Sequence, residues 1–300
     1  MPNSPIALSV IVVNFNAGAL LSRCVGAVLE SFAEVEIYVS DNGSSDQSLA
    51  LLRARYGQDS RLHILENREN LGFARGNNRV LENTRAPFLL FLNPDCIVQP
   101  NTLHRMIRFM ESMPQAGMAG CVIRNPDGTE QVASRRTIPD PWVALVRFLY
   151  LDRIWPDLVG GKRLNRTDEP LPEAPVAVEA ISGSFMLVRR EALASVGPLD
   201  EGYFLHCEDL DWFVRFRQGG WQIYLVPDAE VVHYKGACSL RRPIAVEWHK
   251  HRGMVRFFRK FQSQRHSMPF RLLVMLGIWA HFLAVLIPQS LRQLKQGGKA

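Results

Sequence analysis

Phe88-Leu89-Leu90-Phe91-Leu92-Asn93-Pro94-Asp95 is the stretch that decides the fold. Its five apolar residues are too few for a helix and read as a strand buried on both faces. Pro94 removes a backbone donor and turns the chain, so the strand stops at Asn93. Asp95 then stands just past the carboxyl end of a central strand, the edge where open α/β sheets hold their ligands. A carboxylate there, beside an Asn, suits a hard divalent cation carrying a phosphate. The same wording would also serve as an Asx-Pro turn capping the next helix.

Upstream, Leu8–Val13 is a β-branched run that predicts a first buried strand ending in Asn14-Phe15-Asn16. Leu20, Leu21, Cys24, Val25, Val28, Leu29 and Phe32 follow at helical spacing. Glu36–Ser40 predicts a second strand, closed by the polar turn Asp41–Asp46, and Leu62–Leu65 a third. Asn70–Asn78 leads into a helix to about Thr84. Downstream, a helix is expected from about Pro100, with proline in its first turn, and Met118–Ile123 predicts a fifth strand. Strands alternating with helices mean crossover units and a largely parallel sheet. Polar residues recur after each strand (Asn14 and Asn16, Asp41 and Asn42, Asn70, Asp95), the pattern of a nucleotide-type site along one sheet edge.

From Arg124 to Val178 the regularity fails. Seven prolines and an apolar stretch, Trp142–Trp155, predict an irregular or mobile excursion that could cover a substrate. Order returns with Ile181–Val188, a strand after a glycine bend. A helix to about Gln218 comes next, then strands at Gln222–Val226 and Val231–His233. Residues 245–261 predict a basic amphipathic helix, and Phe270–Pro288 is apolar apart from Arg271 and His281.

Composition bounds the function. The 300 residues, 47% hydrophobic and 21% charged, can bury a sizeable core. The formal charge of +6 is unevenly spread: residues 241–300 hold 12 Lys and Arg against one acid, Glu247, while residues 1–240 hold 23 against 28 acids. A mildly acidic body with a basic tail points the tail at an anionic surface. The five cysteines (Cys24, Cys96, Cys121, Cys207, Cys238) are scattered without a C-x-x-C pair and read as small core residues of a reducing compartment. Leu8–Val13 is too short for a signal peptide. Phosphate-loop, dinucleotide, nucleophile-elbow and H-E-x-x-H motifs are absent.

Glu208, Asp209 and Asp211 put three carboxylates at a helix start, a favourable place beside the helix dipole. Phe204, Leu205, Trp212 and Phe213 flank them, and a carboxylate among aromatics is raised toward the range of a general base. His233 closes an apolar strand. It becomes a metal ligand only if Asp95 already holds a cation.

In order and spacing, the segments Ser9–Asn16, Val39–Asp46, Asn70–Asn78, Leu90–Asp95, Gly183–Arg190, Glu208–Arg215 and Val231–Ser239 resemble the inverting nucleotide-sugar glycosyltransferases of family two. The wording N-x-G-F-A-x-G-N-N over Asn70–Asn78 is similar to their rhamnosyltransferase-like branch. The resemblance, which covers residues 8 to about 240, implies a GT-A (Rossmann-like) α/β fold: a mostly parallel central sheet flanked by helices. That makes 1–240 a transferase domain, and the basic and apolar residues of 241–300 add a C-terminal helical tail expected to be membrane-associated. Within the domain the resemblance implies a nucleotide-binding half at 1–124, the excursion at 125–178 and an acceptor and catalytic half at 179–240.

By the same resemblance Asp41 would bind the nucleotide base, with Asn14, Asn16, Asn42, Asn70, Gly72, Asn77 and Asn93 around the donor. Asn93-Pro94-Asp95 would stand in place of the family's D-x-D, leaving Asp95 as the anionic ligand of Mg²⁺ or Mn²⁺, with His233 completing the site. Asp209 would be the catalytic base. Gly183, Ser184, Glu208, Asp211 and Trp212 would line the acceptor.

The expected activity is transfer of a sugar, L-rhamnose from its dTDP form, to a lipid-linked or cell-surface polysaccharide acceptor at the inner face of the cell membrane. UDP- or GDP-sugars are the alternative donors. A nucleotidyltransferase would want basic residues after strand one, which Asn14–Gly18 lacks, and the acidic body argues against nucleic acid as a partner.

Overall fold

The structure is a computed structural model that describes residues 6–132, 134–148, 151–155, 157, 160, 165–236 and 243–297. Cys238 and the end of the Val231–Ser239 segment lie outside the described residues. The first half runs β1 (Leu8–Asn14), α1 (Ala19–Leu29), β2 (Val35–Asp41), α2 (Ser48–Tyr56), β3 (Leu62–Glu66), α3 (Gly72–Asn78), β4 (Phe88–Leu92). Then come β5 (Cys96–Val98), α4 (Thr102–Ser112) and β6 (Ala116–Arg124). The second half runs β7 (Arg135–Arg136), α5 (Pro141–Phe148), β8 (Val176–Ala177), β9 (Ala180–Ile181), β10 (Phe185–Arg189) and α6 (Arg190–Val196). It closes with α7 (Glu208–Gln218), β11 (Gln222–His233), α8 (Pro243–Phe257) and α9 (Met268–Gly297).

The main sheet has the order β3-β2-β1-β4-β10-β6-β11-β5, with β8 beside β11. β1 to β4 are parallel, and β1, β2 and β4 are buried along their whole length. Alternate residues feed two cores. Val10, Val12, Leu90 and Leu92 pack under α1 and α4, while Ile11, Leu89 and Phe91 pack under α6 and α7. Each fully buried Leu or Phe of β4 contributes about 2–3 kcal/mol by burial. The parallel register sets Asn14 opposite Asp41 and Val12 opposite Leu92, so the residues after β1, β2 and β4 meet at one edge.

The expected α/β fold, a mostly parallel central sheet flanked by helices with a C-terminal helix, is what the chain adopts, with these local departures. β10 is antiparallel to both β4 and β6, because the chain re-enters the sheet from the ligand edge, with Phe185 opposite Leu92. That direction places Gly183 and Ser184 at the edge itself. β5 intervenes before α4, which therefore begins at Thr102 and leaves Pro100 outside the helix. Strands 222–226 and 231–233 are one strand, bulged between Val226 and Glu230 where Pro227 supplies no N–H. Phe32 lies past the end of α1 and is 73% exposed.

The excursion has structure of its own. β7 pairs antiparallel with β9, and buried Arg135 holds Glu130 in a two-pronged ion pair while also donating to the Glu169 and Pro170 carbonyls. Cys24, Cys96, Cys121 and Cys207 are buried thiols.

Candidate active site

Three groups of residues converge at this edge. In the first, Asn14 Nδ2 donates to Asp41 Oδ1 at 2.7 Å and to Ser48 Oγ at 2.9 Å. Asp41 Oδ2 accepts the Ser44 N–H at 3.0 Å. Asn16, held at a left-handed φ of 56°, accepts the N–H groups of Ser45 and Asp46. The three side chains thus tie the end of β1 to the loop after β2. A direct contact between Asp41 and a base finds both carboxylate oxygens already engaged and the residue 2% exposed.

Asn42 bridges outward, donating to Asn70 Oδ1 and the Gly72 carbonyl and accepting from Asn67 Nδ2. Gly72 is needed as glycine: its φ is +78°, and a Cβ there would come within 2.3 Å of the Phe204 carbonyl oxygen. Phe73 N–H donates to that same oxygen at 2.8 Å, and Asn78 makes two bonds to the Leu199 backbone. Residues 70–78 therefore brace the first half of the sheet against the 199–206 loop. Asn77 departs from the expected donor contact. It is buried and donates to the Phe73 carbonyl one turn back.

The second group is Asp95 and His233. Cys96 N–H donates to the Asn93 carbonyl, closing a turn with Pro94 at its second position. β5 pairs with the end of β11, Cys96 opposite His233, so the Asp95 turn meets a residue 138 positions away in sequence. His233 Nε2 lies 3.1 Å from Asp95 Oδ1, both side chains nearly buried. Ligands at right angles on an octahedral cation, each about 2.1 Å from it, lie about 3 Å apart, so this carboxylate and imidazole fit Mg²⁺ or Mn²⁺. Cys96 is close enough to join them. Its thiol donates to the Ser184 carbonyl and burial raises it well above the ordinary thiol value, which keeps it protonated and off a hard cation. Asn93 touches this centre through its backbone, its N–H donating to the Ser184 carbonyl at 3.0 Å.

The third group opens α7. His206 and Cys207, neither glycine, stand at φ 70° and 71° immediately before Glu208, a strained entry of the kind found at functional sites. Asp209 Oδ2 pairs with Arg136 of β7, which the sequence reading did not single out; Arg136 also donates to the Ile181 carbonyl. A Cβ on Gly183 would lie 2.7 Å from Asp209 Oδ2. The Ser182–Ser184 turn therefore touches the Asn93–Cys96 turn on one side and Asp209 on the other. Asp211 and Trp212 find no exposed atom for an acceptor. Asp211 is fully buried between Arg215 and Lys260, while Trp212 donates to the Gly197 carbonyl and meets Phe91 edge-on at 4.8 Å.

Glu208 is buried with Oε2 unpartnered. Burial, and then the Asp209 charge, raise it to about 8, so it is a neutral acid at pH 7. A raised carboxyl contributes stability that is fully present below its ordinary value of 4.5 and is lost as pH climbs through about 8. Glu208→Gln removes that titration. Its melting temperature should rise relative to the parent between about pH 5 and pH 8, and a constant difference across that range would refute the assignment.

A family model, glycosyl transferase family 2, matches residues 9–197. N-acetylglucosaminyl-diphospho-decaprenol L-rhamnosyltransferase of Mycobacterium tuberculosis is 29% identical over 251 residues, 79% of this chain and 78% of that protein. Rhamnosyltransferase WbbL of Escherichia coli is 29% identical over 172 residues, 54% of this chain and 61% of that protein. The solved mannosyltransferase PcManGT from Pyrobaculum calidifontis, in complex with GDP-Man and Mn²⁺, superimposes with a TM-score of 0.59 at 17% identity, over 99% of this chain and 81% of that one.

Proposed function

The chain belongs to glycosyl transferase family 2 and is a glycosyltransferase, and we propose that it moves L-rhamnose from a nucleoside diphosphate to a lipid-linked saccharide, with inversion. The observation that carries this reading is the Ser182–Ser184 turn, which sets the Asp95 centre beside Asp209. The rhamnosyltransferase relatives, one of them named for a decaprenol-linked acceptor, support the sugar and the acceptor class.

A divalent cation, Mg²⁺ or Mn²⁺, supplies neutralisation of the leaving diphosphate when bound. Asp95 and His233 would hold it. Asn14, Asn16, Asp41, Asn42 and Asn70 shape the loops around the nucleoside. Asp209 takes the proton of the acceptor hydroxyl as that oxygen bonds to the anomeric carbon. The bond from that carbon to the diphosphate oxygen breaks on the opposite face, and its electron pair leaves with the nucleoside diphosphate. A transfer assay tests the reading, using dTDP-rhamnose against UDP- and GDP-sugars with and without Mn²⁺. Turnover of another sugar in preference to rhamnose would overturn the donor assignment.

The acceptor class leads to the tail. Met268–Leu286 is long and apolar enough to cross a membrane, and only 11% of it is buried, which supports a helix lying on the body rather than inside it. One side of α9 packs on the body: Trp279 and Phe282 meet Trp248, His281 meets His251, and Phe270 stacks on Trp142. Leu272, Leu273, Leu276 and Leu283 face solvent. We place this helix in the cytoplasmic membrane interface, apolar side down, with the basic residues around it on lipid phosphates. A chain ending at Gln264, which keeps the Lys260 pairs with Asp200 and Asp211, should lose flotation with anionic liposomes. Leu276→Glu with Leu283→Glu should do the same without exposing the packed side. Unaltered flotation of both variants would rule the docking out.

A further inference from the structure

We propose that Gln131 is the positioning residue of the cation centre, holding His233 as the tautomer whose Nε2 lone pair faces Asp95. The inference rests on the cation reading above and extends it to a residue that touches neither donor nor cation. Gln131 is nearly buried, and its Oε1 lies 2.7 Å from His233 Nδ1. Which end of the amide faces the ring is decided by what surrounds the other end. Gln131 Nε2 donates to the His233 carbonyl at 3.2 Å and to Asn125 Oδ1 at 2.9 Å. A flipped amide would set its oxygen against that carbonyl, which only accepts.

The orientation is passed along a chain of fixed donors and acceptors. Asp127, a carboxylate held below the usual range by bonds from Thr129, only accepts, so the Thr129 hydroxyl must donate to it at 2.6 Å. Thr129 Oγ1 then accepts from Asn125 Nδ2 at 3.0 Å, which turns Asn125 Oδ1 toward Gln131. Gln131 Oε1 therefore meets His233 and accepts Nδ1–H. In the neutral ring, which a cation requires, Nε2 is then left with a lone pair 3.1 Å from Asp95 Oδ1. Two lone pairs facing one another at that distance repel unless a cation lies between them. The hairpin Asn125-Pro126-Asp127-Gly128-Thr129 is built for this registration. Gly128 takes the left-handed φ of 85°, with Asn125 and Thr129 paired through their backbones.

Removing the acceptor frees the ring to take the other tautomer and donate Nε2–H to Asp95, which competes with the cation. In the full-length protein, Gln131→Leu should raise the dissociation constant for Mn²⁺, measured by calorimetry with saturating nucleoside diphosphate, by roughly 10–100-fold. Long-range ¹H–¹⁵N spectra of the metal-free protein, with the His233 signals assigned by their loss in His233→Ala, should show the proton move from Nδ1 to Nε2. Gln131→Glu keeps an acceptor and should retain the Nδ1–H form. An unmoved proton or an unchanged Mn²⁺ affinity in Gln131→Leu overturns the proposal. Asp95→Ala and His233→Ala separate the two levels. If they weaken Mn²⁺ and Gln131→Leu does not, the inference about Gln131 alone fails. If they leave Mn²⁺ binding intact, the cation reading fails and carries this inference with it.

Discussion

Asp209→Asn should leave nucleoside diphosphate binding intact and lower transfer by roughly 10²–10⁴-fold, the usual contribution of a general base. The substitution keeps the shape that fits against Gly183, where a Cβ would come within 2.7 Å of Asp209 Oδ2. What it removes is the carboxylate that would accept the acceptor's proton and that Arg136 holds in place. Arg136 is itself fixed by the Ile181 carbonyl, so the pair aims the carboxylate at the same turn that contacts the Asp95 centre. Glu208 supplies the control. Because burial keeps it neutral, Glu208→Gln replaces one uncharged hydrogen-bonding group by another and should retain most activity. Single-turnover rates with saturating donor decide the matter. A dead Glu208→Gln beside an active Asp209→Asn would move the base to the other acid.

Asp95→Ala should abolish the dependence of nucleoside diphosphate binding on Mn²⁺. The loss should be at least the roughly 10–100-fold that even an outer-shell partner costs a metal site. Asp95 is the anionic member of the pair, since Asn93 stands where a second acid would otherwise help and contributes its backbone to the Ser184 turn. His233→Ala should weaken binding less, because a neutral ligand is lost and water can take its place. Calorimetry with and without Mn²⁺ reads both variants. Equal affinity in the parent and Asp95→Ala would remove the cation from this site.

The layout of the first half was legible because burial on two faces leaves a plain mark. Leu8–Asn14, Val35–Asp41 and Phe88–Leu92 are buried along their whole length and mostly apolar, as central parallel strands are. The polar residues that follow each of them were equally legible, since parallel strands deliver their carboxyl ends to one edge. Partners were harder to read. Nothing near Asn77 reveals that its amide folds back on Phe73, and nothing near Asp211 reveals that Lys260 crosses 49 positions to meet it. Trp212 carries no local sign that Phe91 and the Gly197 carbonyl have already claimed it.

By itself the sequence determined on which strand and helix ends the polar and acidic side chains stand. Those follow from local periodicity, from Pro94 ending a strand, and from carboxylates gathering at the start of α7. Only the tertiary structure decided who meets whom. An antiparallel β10 brings Gly183 and Ser184 to the edge, β5 on β11 brings His233 to Asp95, and β7 on β9 brings Arg136 to Asp209. Each pairing joins residues 44 or more positions apart through backbone hydrogen bonds. Every backbone offers those bonds whatever its side chains, so the choice among them rests on the packing of the whole fold.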